Sequence, residues 1–293
     1  MSSPPLIIID KGIKKIGADG TTTYKQYRRG DYLGKGASSR VYELTSIDTG
    51  TTYAVKIIPK ASITKPSIKK RLINEIGIQQ TLDHPHVVKL SRYFEDDVNI
   101  YIILNLSPHQ SLKELIDRRK YISENEARPL VWQLLSALTY LHGTRVVHRD
   151  IKLGNLLFDA DYNLQVADFG LAIRFDNDTD TDTAIVGTPN YISPEMLDSK
   201  PYSFSVDIWA VGIVMYTLLV GTPPFETASI RTTYQRIREN EWSFPDKPVL
   251  SEEARQLITD ILKTDPLQRP SLVEIKNSPW FTTQPHAYTF QPV

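Results

Sequence analysis

The stretch HRDIKLGN, His148 to Asn155, sets an arginine, an aspartate, a lysine and an asparagine within eight residues. It is followed by ADFG, Ala167 to Gly170, which places a second aspartate, Asp168, eighteen residues after Asp150. An aspartate in a loop is ordinarily a turn or helix-cap residue, and Asp159 and Asp161 read that way. Asp150 and Asp168 differ because of the company they keep. GTPNYISPE, Gly187 to Glu195, lies downstream of them and LGKGASSRVY, Leu33 to Tyr42, lies upstream. Four such motifs in this order on one chain are hard to obtain by chance.

Upstream, Gly34 and Gly36 free backbone amides for close approach to a phosphate. A dinucleotide-binding loop would open a helix, whereas a strand signal follows here, so the expected geometry is a hairpin folded over phosphates. Ser39 stands where a third glycine would be usual. Alone, the loop reads equally well as an ordinary glycine turn. AVKII, Ala54 to Ile58, then puts Lys56 on the next strand, where an ammonium can reach phosphate oxygens. Glu75 falls in the following helical segment and can orient Lys56 as an ion pair.

The composition is compatible with a phosphate-handling enzyme and excludes other classes. A chain of 293 residues suggests about two domains, and 41% apolar with 23% charged residues supports a buried core. Lys+Arg and Asp+Glu both total 34, so no whole-molecule field attracts nucleic acid or an anionic membrane, and neither is expected as a partner. The balance hides an asymmetry: residues 1–107 hold 16 basic against 10 acidic side chains, and the remainder 18 against 24. The absence of cysteine rules out disulfides, thiolate zinc sites and a cysteine nucleophile. MSSPPLIIID has no basic leader, so no secretory signal is expected. The longest apolar run, Ile208 to Val220, is shorter than the ~20 residues of a spanning helix and reads as a buried core helix.

Periodicity changes style along the chain. Up to about residue 104 the segments are short and β-rich, with RVYELTSI, DTG and TTYAVKII predicting a hairpin around Asp48 to Gly50. Leu6 to Ile9 are expected to be extended, and ADGT marks a turn at Asp19-Gly20. SIKKRLINEIGIQQTL predicts one helix, with Ile68, Leu72, Ile73, Ile76 and Ile78 at near-helical spacing and DHPH closing it. After NIYIILNL the pattern is helical, clearest in SLKELIDRR, SENEARPLVWQLLSALTYLH and DIWAVGIVMYTLL.

From about Tyr27 to Phe281 the chain resembles the eukaryotic protein kinase family. Within it RGDYLGKG, HRDIKLGNLL, GTPNYISPE and YTLLVGTPPFET are most similar to polo-like kinases. The resemblance implies an α+β, two-lobed kinase fold. Residues 1–26 would be an N-terminal extension and 27–104 a small antiparallel N-lobe sheet with one main helix. A hinge would follow at 105–107, then a larger, mainly helical C-lobe at 108–281 with its activation segment at 168–195, and a tail at 282–293.

It also implies roles. Asp150 would accept or orient the proton of the substrate hydroxyl, and Lys152 would contact the moving γ-phosphoryl. Lys56, held by Glu75, would reach the α- and β-phosphates. Asn155 and Asp168 would supply the hard oxygens that Mg²⁺ prefers when it bridges phosphates. Gly34, Lys35 and Gly36 would cover the phosphates of ATP. Leu33, Val41, Ala54, Leu104 and Leu157 would line the adenine site, with the backbone of Asn105 to Ser107 at the base edge; each apolar residue here reads equally as plain core. By the same resemblance Asp207 steadies the catalytic loop and Glu195 pairs with Arg269. Lys152 and Thr188 fit serine/threonine rather than tyrosine kinases. The implied cofactors are ATP and Mg²⁺, and the implied partners are proteins with Ser/Thr acceptors. A monomeric kinase domain is expected, intracellular in cytoplasm or nucleus, with polo-box modules absent from this chain. Leu157 stands where many polo-like kinases have Phe, and Val41 where Cys is common. His84 and His86 lack further ligands nearby, so a metal pair is set aside. The competing reading is a catalytically silent, kinase-shaped nucleotide-binding scaffold. Intact Lys56, Glu75, Asp150, Asn155 and Asp168 favour the enzyme.

The run DNDTDTDT, Asp176 to Thr183, lies inside the activation segment. A calcium loop needs glycine at its sixth position and glutamate at its twelfth, where this run has Thr181 and Gly187. A solvated loop and a regulated segment remain. The regulatory reading rests on Arg149 and Arg174, on which a loop phosphate could dock. The threonine usually phosphorylated in the family is here Ala184. Thr183 is then the next candidate acceptor, and Asp180 and Asp182 are expected to substitute in part for phosphate.

Overall fold

The computed structural model describes residues 6–16, 21–36, 39–283 and 290. The turn expected at Asp19-Gly20 lies outside them, as does most of the tail. The chain divides into two compact units, Met1–Asp83 with Val88–Ser107, and His84–Val87 with Pro108–Val293.

The first unit is built on strands β1 Ile7–Ile16, β2 Thr22–Lys35, β3 Arg40–Ser46 and β4 Thr52–Pro59, helix α1 Pro66–Gln79, and strands β5 Leu90–Glu95 and β6 Asn99–Asn105. β-branched and aromatic residues fill these strands, as a pleated, half-buried surface favours. They form one antiparallel sheet in the order β1-β2-β3-β4-β6-β5. The predicted hairpin at Asp48 to Gly50 joins β3 to β4, with Gly50 at φ +69° in the left-handed region that glycine enters without strain.

The expected extended segment at the start is β1, and it does more than add an edge. Asp10 has no exposed area; its carboxylate accepts from Arg92 on β5 and from the Gly12 amide at 2.8 Å. The two edge strands are thereby tied, and the sheet curls around a core of Ile8, Tyr27, Leu44, Val55, Phe94, Tyr101 and Ile103. The other face packs Ile58, Leu90 and Ile102 on Leu72 of α1. One expectation fails here: Ile73 is 61% exposed. The buried stripe of α1 runs through Leu72, Glu75, Ile78 and Gln79, and at 100° per residue Ile73 is turned away from it.

The second unit contains β7 His109–Ser111, α2 Leu112–Arg119, α3 Glu124–Gly143, β8 Val146–Val147, β9 Leu156–Phe158, β10 Leu164–Val166 and β11 Ile173–Arg174. It continues with α4 Pro194–Leu197, α5 Ser205–Val220, α6 Ile230–Glu239, α7 Glu252–Ile261, α8 Leu272–Lys276 and α9 Pro279–Thr282. α3 starts in a capping box of Ser123 and Glu126. α5 is buried on every side, from Val206 to Leu219, which is why its apolar run shows no helical period. Gly212 lets α7 close on it: a Cβ there would lie 2.7 Å from the Ile261 side chain. Among the described residues no helix is long and apolar enough to cross a membrane. Two short sheets position the loops that carry the motifs. β10-β9-β7 flanks Asn155, and β8 pairs with β11, Val147 opposite Ile173.

Candidate active site

In the first unit the glycine loop is a hairpin between β2 and β3, with Gly34 opposite Val41 and Lys35 opposite Arg40. Lys56 faces Val41 across the next strand pair, and Ala54 faces Leu104. Alternation puts Ala54 and Lys56 on one side of β4, so Val41, Ala54 and Leu104 form an apolar surface beside the lysine. Leu33, at an irregularity in β2, is exposed. The Asn105 N–H is engaged in the sheet, donating to the Lys89 carbonyl at 2.9 Å.

Lys56 donates to Glu75 Oε1 at 2.6 Å, linking β4 to α1. Both side chains are largely buried, 18% and 9% exposed. A charge pair so shielded has little freedom, and the ammonium is held at one place on the sheet.

In the second unit the catalytic stretch is fastened from below by Asp207, which has no exposed area. Its two oxygens accept the backbone amides of His148 and Arg149, each at 2.9 Å, and His142 Nε2 lies 3.0 Å from Oδ2. Burial opposes the charge of Asp207, but the contacts from His142 and His148 outweigh it and hold the carboxyl below its ordinary value.

Asp150 emerges from this frame only 7% exposed, with both oxygens engaged. Thr188 Oγ1 donates to Oδ1 at 2.7 Å; Lys152 Nζ donates to Oδ2 at 2.7 Å and Asn155 Nδ2 to the same oxygen at 3.0 Å. Lys152 also donates to Thr188 Oγ1 at 2.7 Å. The Asn155 amide nitrogen thus faces Asp150, which turns its carbonyl oxygen elsewhere. Asp168 is next to Phe169, which is fully buried and packed edge-to-face on His148. His148 Nε2 lies 3.1 Å from the Ala167 carbonyl. Arg149 and Asp168 have φ of +67° and +63°, strained for non-glycine residues and held by these surrounding bonds. Leu157 on β9 is half-buried between two buried neighbours.

An amide oxygen and a carboxylate are the donors Mg²⁺ accepts alongside phosphate oxygens, so Asn155 and Asp168 fit that metal. Among the described residues no three His, Cys, Asp or Glu side chains gather as a metal site of their own. His84 and His86 serve the fold: His84 stacks on Tyr140 and His86 Nδ1 lies 2.9 Å from the Leu164 carbonyl. Glu195 and Arg269 are joined by two parallel hydrogen bonds of 2.7 and 2.8 Å. Thr188, which in the sequence marks only the serine/threonine subclass, sits in the Asp150 cluster. Its place in GTPNY was the available signal.

The model for the protein kinase domain matches residues 27–281; the chain belongs to the protein kinase domain family. Among curated relatives, the probable serine/threonine-protein kinase CCRP1 of Zea mays is 43% identical over 98% of this chain and 46% of its own length. The cell cycle serine/threonine-protein kinase CDC5/MSD2 of Saccharomyces cerevisiae is 46% identical over 89% of this chain and 37% of its own. The serine/threonine-protein kinase PLK1 of Xenopus laevis is 44% identical over 93% and 45%. The resemblance to polo-like kinases is thus borne out, and the chain spans less than half the length of these relatives.

Proposed function

We propose that this chain transfers the γ-phosphoryl group of ATP, with Mg²⁺, to serine and threonine hydroxyls of proteins. The observation that carries this reading is the Asp150 carboxylate, fixed by Lys152, Asn155 and Thr188 in a strained loop. Phosphoryl transfer asks a protein for alignment and charge neutralisation more than for covalent chemistry.

In this reading Asp150 orients the acceptor hydroxyl and takes its proton as the new O–P bond forms and the bond from the γ-phosphorus to the β–γ bridging oxygen breaks, with ADP as the leaving group. Lys152, already hydrogen-bonded to Asp150 and Thr188, donates to the transferred group. Lys56, set by Glu75, donates to the phosphates nearer the nucleoside. Val41, Ala54 and Leu104 supply apolar cover for the base, and the hairpin at Gly34 to Gly36, its Gly36 amide closed on the Ser39 carbonyl at 3.0 Å, lies over the phosphates. Asn155 Oδ1 and the Asp168 carboxylate would hold Mg²⁺, which neutralises triphosphate charge when bound. A cell-cycle role is supported by the name of the yeast relative.

The experiment is phosphorylation of casein with γ-labelled ATP and Mg²⁺ by the parent and by Asp168→Asn. The expected result is labelling on serine and threonine by the parent and background from the variant. Equal signal from both removes the reading.

A further inference from the structure

The acidic run is not uniformly solvated; each of three aspartates has a separate occupation. Asp178 pairs with the exposed Arg145 at 2.8 Å. Asp180 turns inward on its own loop, where Oδ2 accepts the amides of Asp176 and Asn177, both at 2.9 Å. Asp182 instead reaches out of the run to Arg149, the residue before Asp150. Its Oδ2 accepts from Arg149 Nη1, and its Oδ1 accepts the amides of Thr183 at 2.7 Å and Ala184 at 3.2 Å. Burial opposes this charge, but the two amides and the guanidinium overcome it and hold the carboxyl below its ordinary value.

A second arm closes the same point. Tyr202, only 2% exposed, accepts from Arg149 Nη1 at 3.1 Å and donates its hydroxyl proton to the Ala184 carbonyl at 2.8 Å. Its backbone pairs antiparallel with that of Asp182, through bonds of 3.0 and 2.9 Å. Arg149 Nε donates to the Leu171 carbonyl at 2.7 Å. One guanidinium therefore joins the residues after ADFG, the end of the acidic run and Tyr202. Just beyond, Gly187 has φ +108°, and a Cβ there would come within 2.8 Å of the Arg149 carbonyl.

We propose that Asp182 is a positioning residue for phosphoryl transfer: seated on Arg149, with Tyr202 as its second arm, it holds the activation segment in working order without a phosphate. This rests on the kinase reading above. The carboxylate makes the contacts a loop phosphate would make, one face to a guanidinium and one to backbone amides. Ala184 needs no hydroxyl, because its carbonyl is already held by Tyr202. Of the two aspartates expected to substitute for phosphate, Asp182 has this geometry and Asp180 does not.

The test uses phosphatase-treated parent, Asp182→Asn, Asp182→Glu and Tyr202→Phe, read by steady-state kinetics on casein and by hydrogen exchange across residues 176–186. The parent is expected to keep its activity after phosphatase. Asp182→Asn should lose about tenfold or more in kcat, the scale of one charge-assisted hydrogen bond, with KM for ATP unchanged and faster exchange at 183–186. Asp182→Glu should restore most of the kcat, and Tyr202→Phe should show a smaller loss of the same kind. A parent silenced by phosphatase, or an Asp182→Asn protein with parental kcat and exchange, overturns the proposal. If the parent never turns over, the kinase reading falls separately and exchange alone decides the latch: faster exchange in Asp182→Asn supports it, unchanged exchange sinks it.

Discussion

The Thr188 hydroxyl donates to Oδ1 of Asp150 at 2.7 Å, bridging 38 residues of chain. It also accepts from Lys152, so one hydroxyl sets the rotamers of both groups assigned to the chemistry. Thr188→Val keeps the branched shape and removes the hydroxyl. The expected outcome is a fall in kcat of about ten- to a hundredfold, with Thr188→Ser retaining most of the activity, since a bond to a charged group contributes ~1.5–3 kcal/mol. Steady-state kinetics on casein decides it; a valine variant equal to the parent removes Thr188 from the cluster's work.

The Lys56–Glu75 pair predicts a different pattern of loss. Glu75→Gln leaves the lysine a neutral partner, and an ammonium no longer fixed in one place aligns the phosphates poorly. The expected effect is about a tenfold loss in kcat/KM for ATP, the worth of one charge-assisted bond, with the KM for the protein substrate unchanged. A variant in which the KM for protein rises while ATP kinetics stay parental contradicts a nucleotide-side role for this pair.

Glu195 and Arg269 are 4% and 7% exposed, and their pair is bidentate. The guanidinium also donates to the carbonyls of Lys263, Thr264 and Ser205. Arg269→Ala leaves Glu195 buried and uncompensated, which costs about 3–5 kcal/mol. Arg269→Lys should recover only part of this, because an ammonium cannot make two parallel bonds. Urea denaturation measures both, and a loss within ~1 kcal/mol for the alanine variant would show that water enters and rescues the carboxylate.

Much of this site was legible in the sequence because phosphate chemistry restricts which residue types serve. HRDIKLGN, ADFG and the lysine of AVKII could be read without knowing the fold, and the unbroken apolar character of α5 announced its burial. What stayed hidden is non-local. Nothing adjacent to Asp10 points to Arg92, 82 residues away, yet that pair curls the sheet. Tyr202 is one tyrosine among 15, and its link to Arg149 exists only once α4 and the loop after it have folded. The acidic run offered four chemically equal aspartates, and only the seat on Arg149, closed by Tyr202, selects Asp182. Ile73 failed for a simpler reason: apolar residues need not all lie on the buried stripe of a helix.

Asp207 gives the last prediction, on pH. Its carboxyl lies below the ordinary 3.8 in the folded chain because His142 and two backbone amides favour the charged form against its burial. A depressed folded value means that the unfolded chain binds the proton more tightly. The stabilisation is therefore complete above about pH 5 and is lost as pH falls through the folded value. Asp207→Asn cannot carry the charge and turns an amide NH₂ toward one of the two backbone donors. At pH 7 it should be less stable than the parent by about 3 kcal/mol or more, as for breaking a buried charged network. That gap should stay flat from pH 7 to about 5 and narrow below pH 4, where the parent alone takes up a proton. Urea denaturation of both proteins between pH 7 and 3 measures the gap directly. A gap that stays constant to pH 3, or widens there, means that Asp207 does not hold its charge in the way its contacts require.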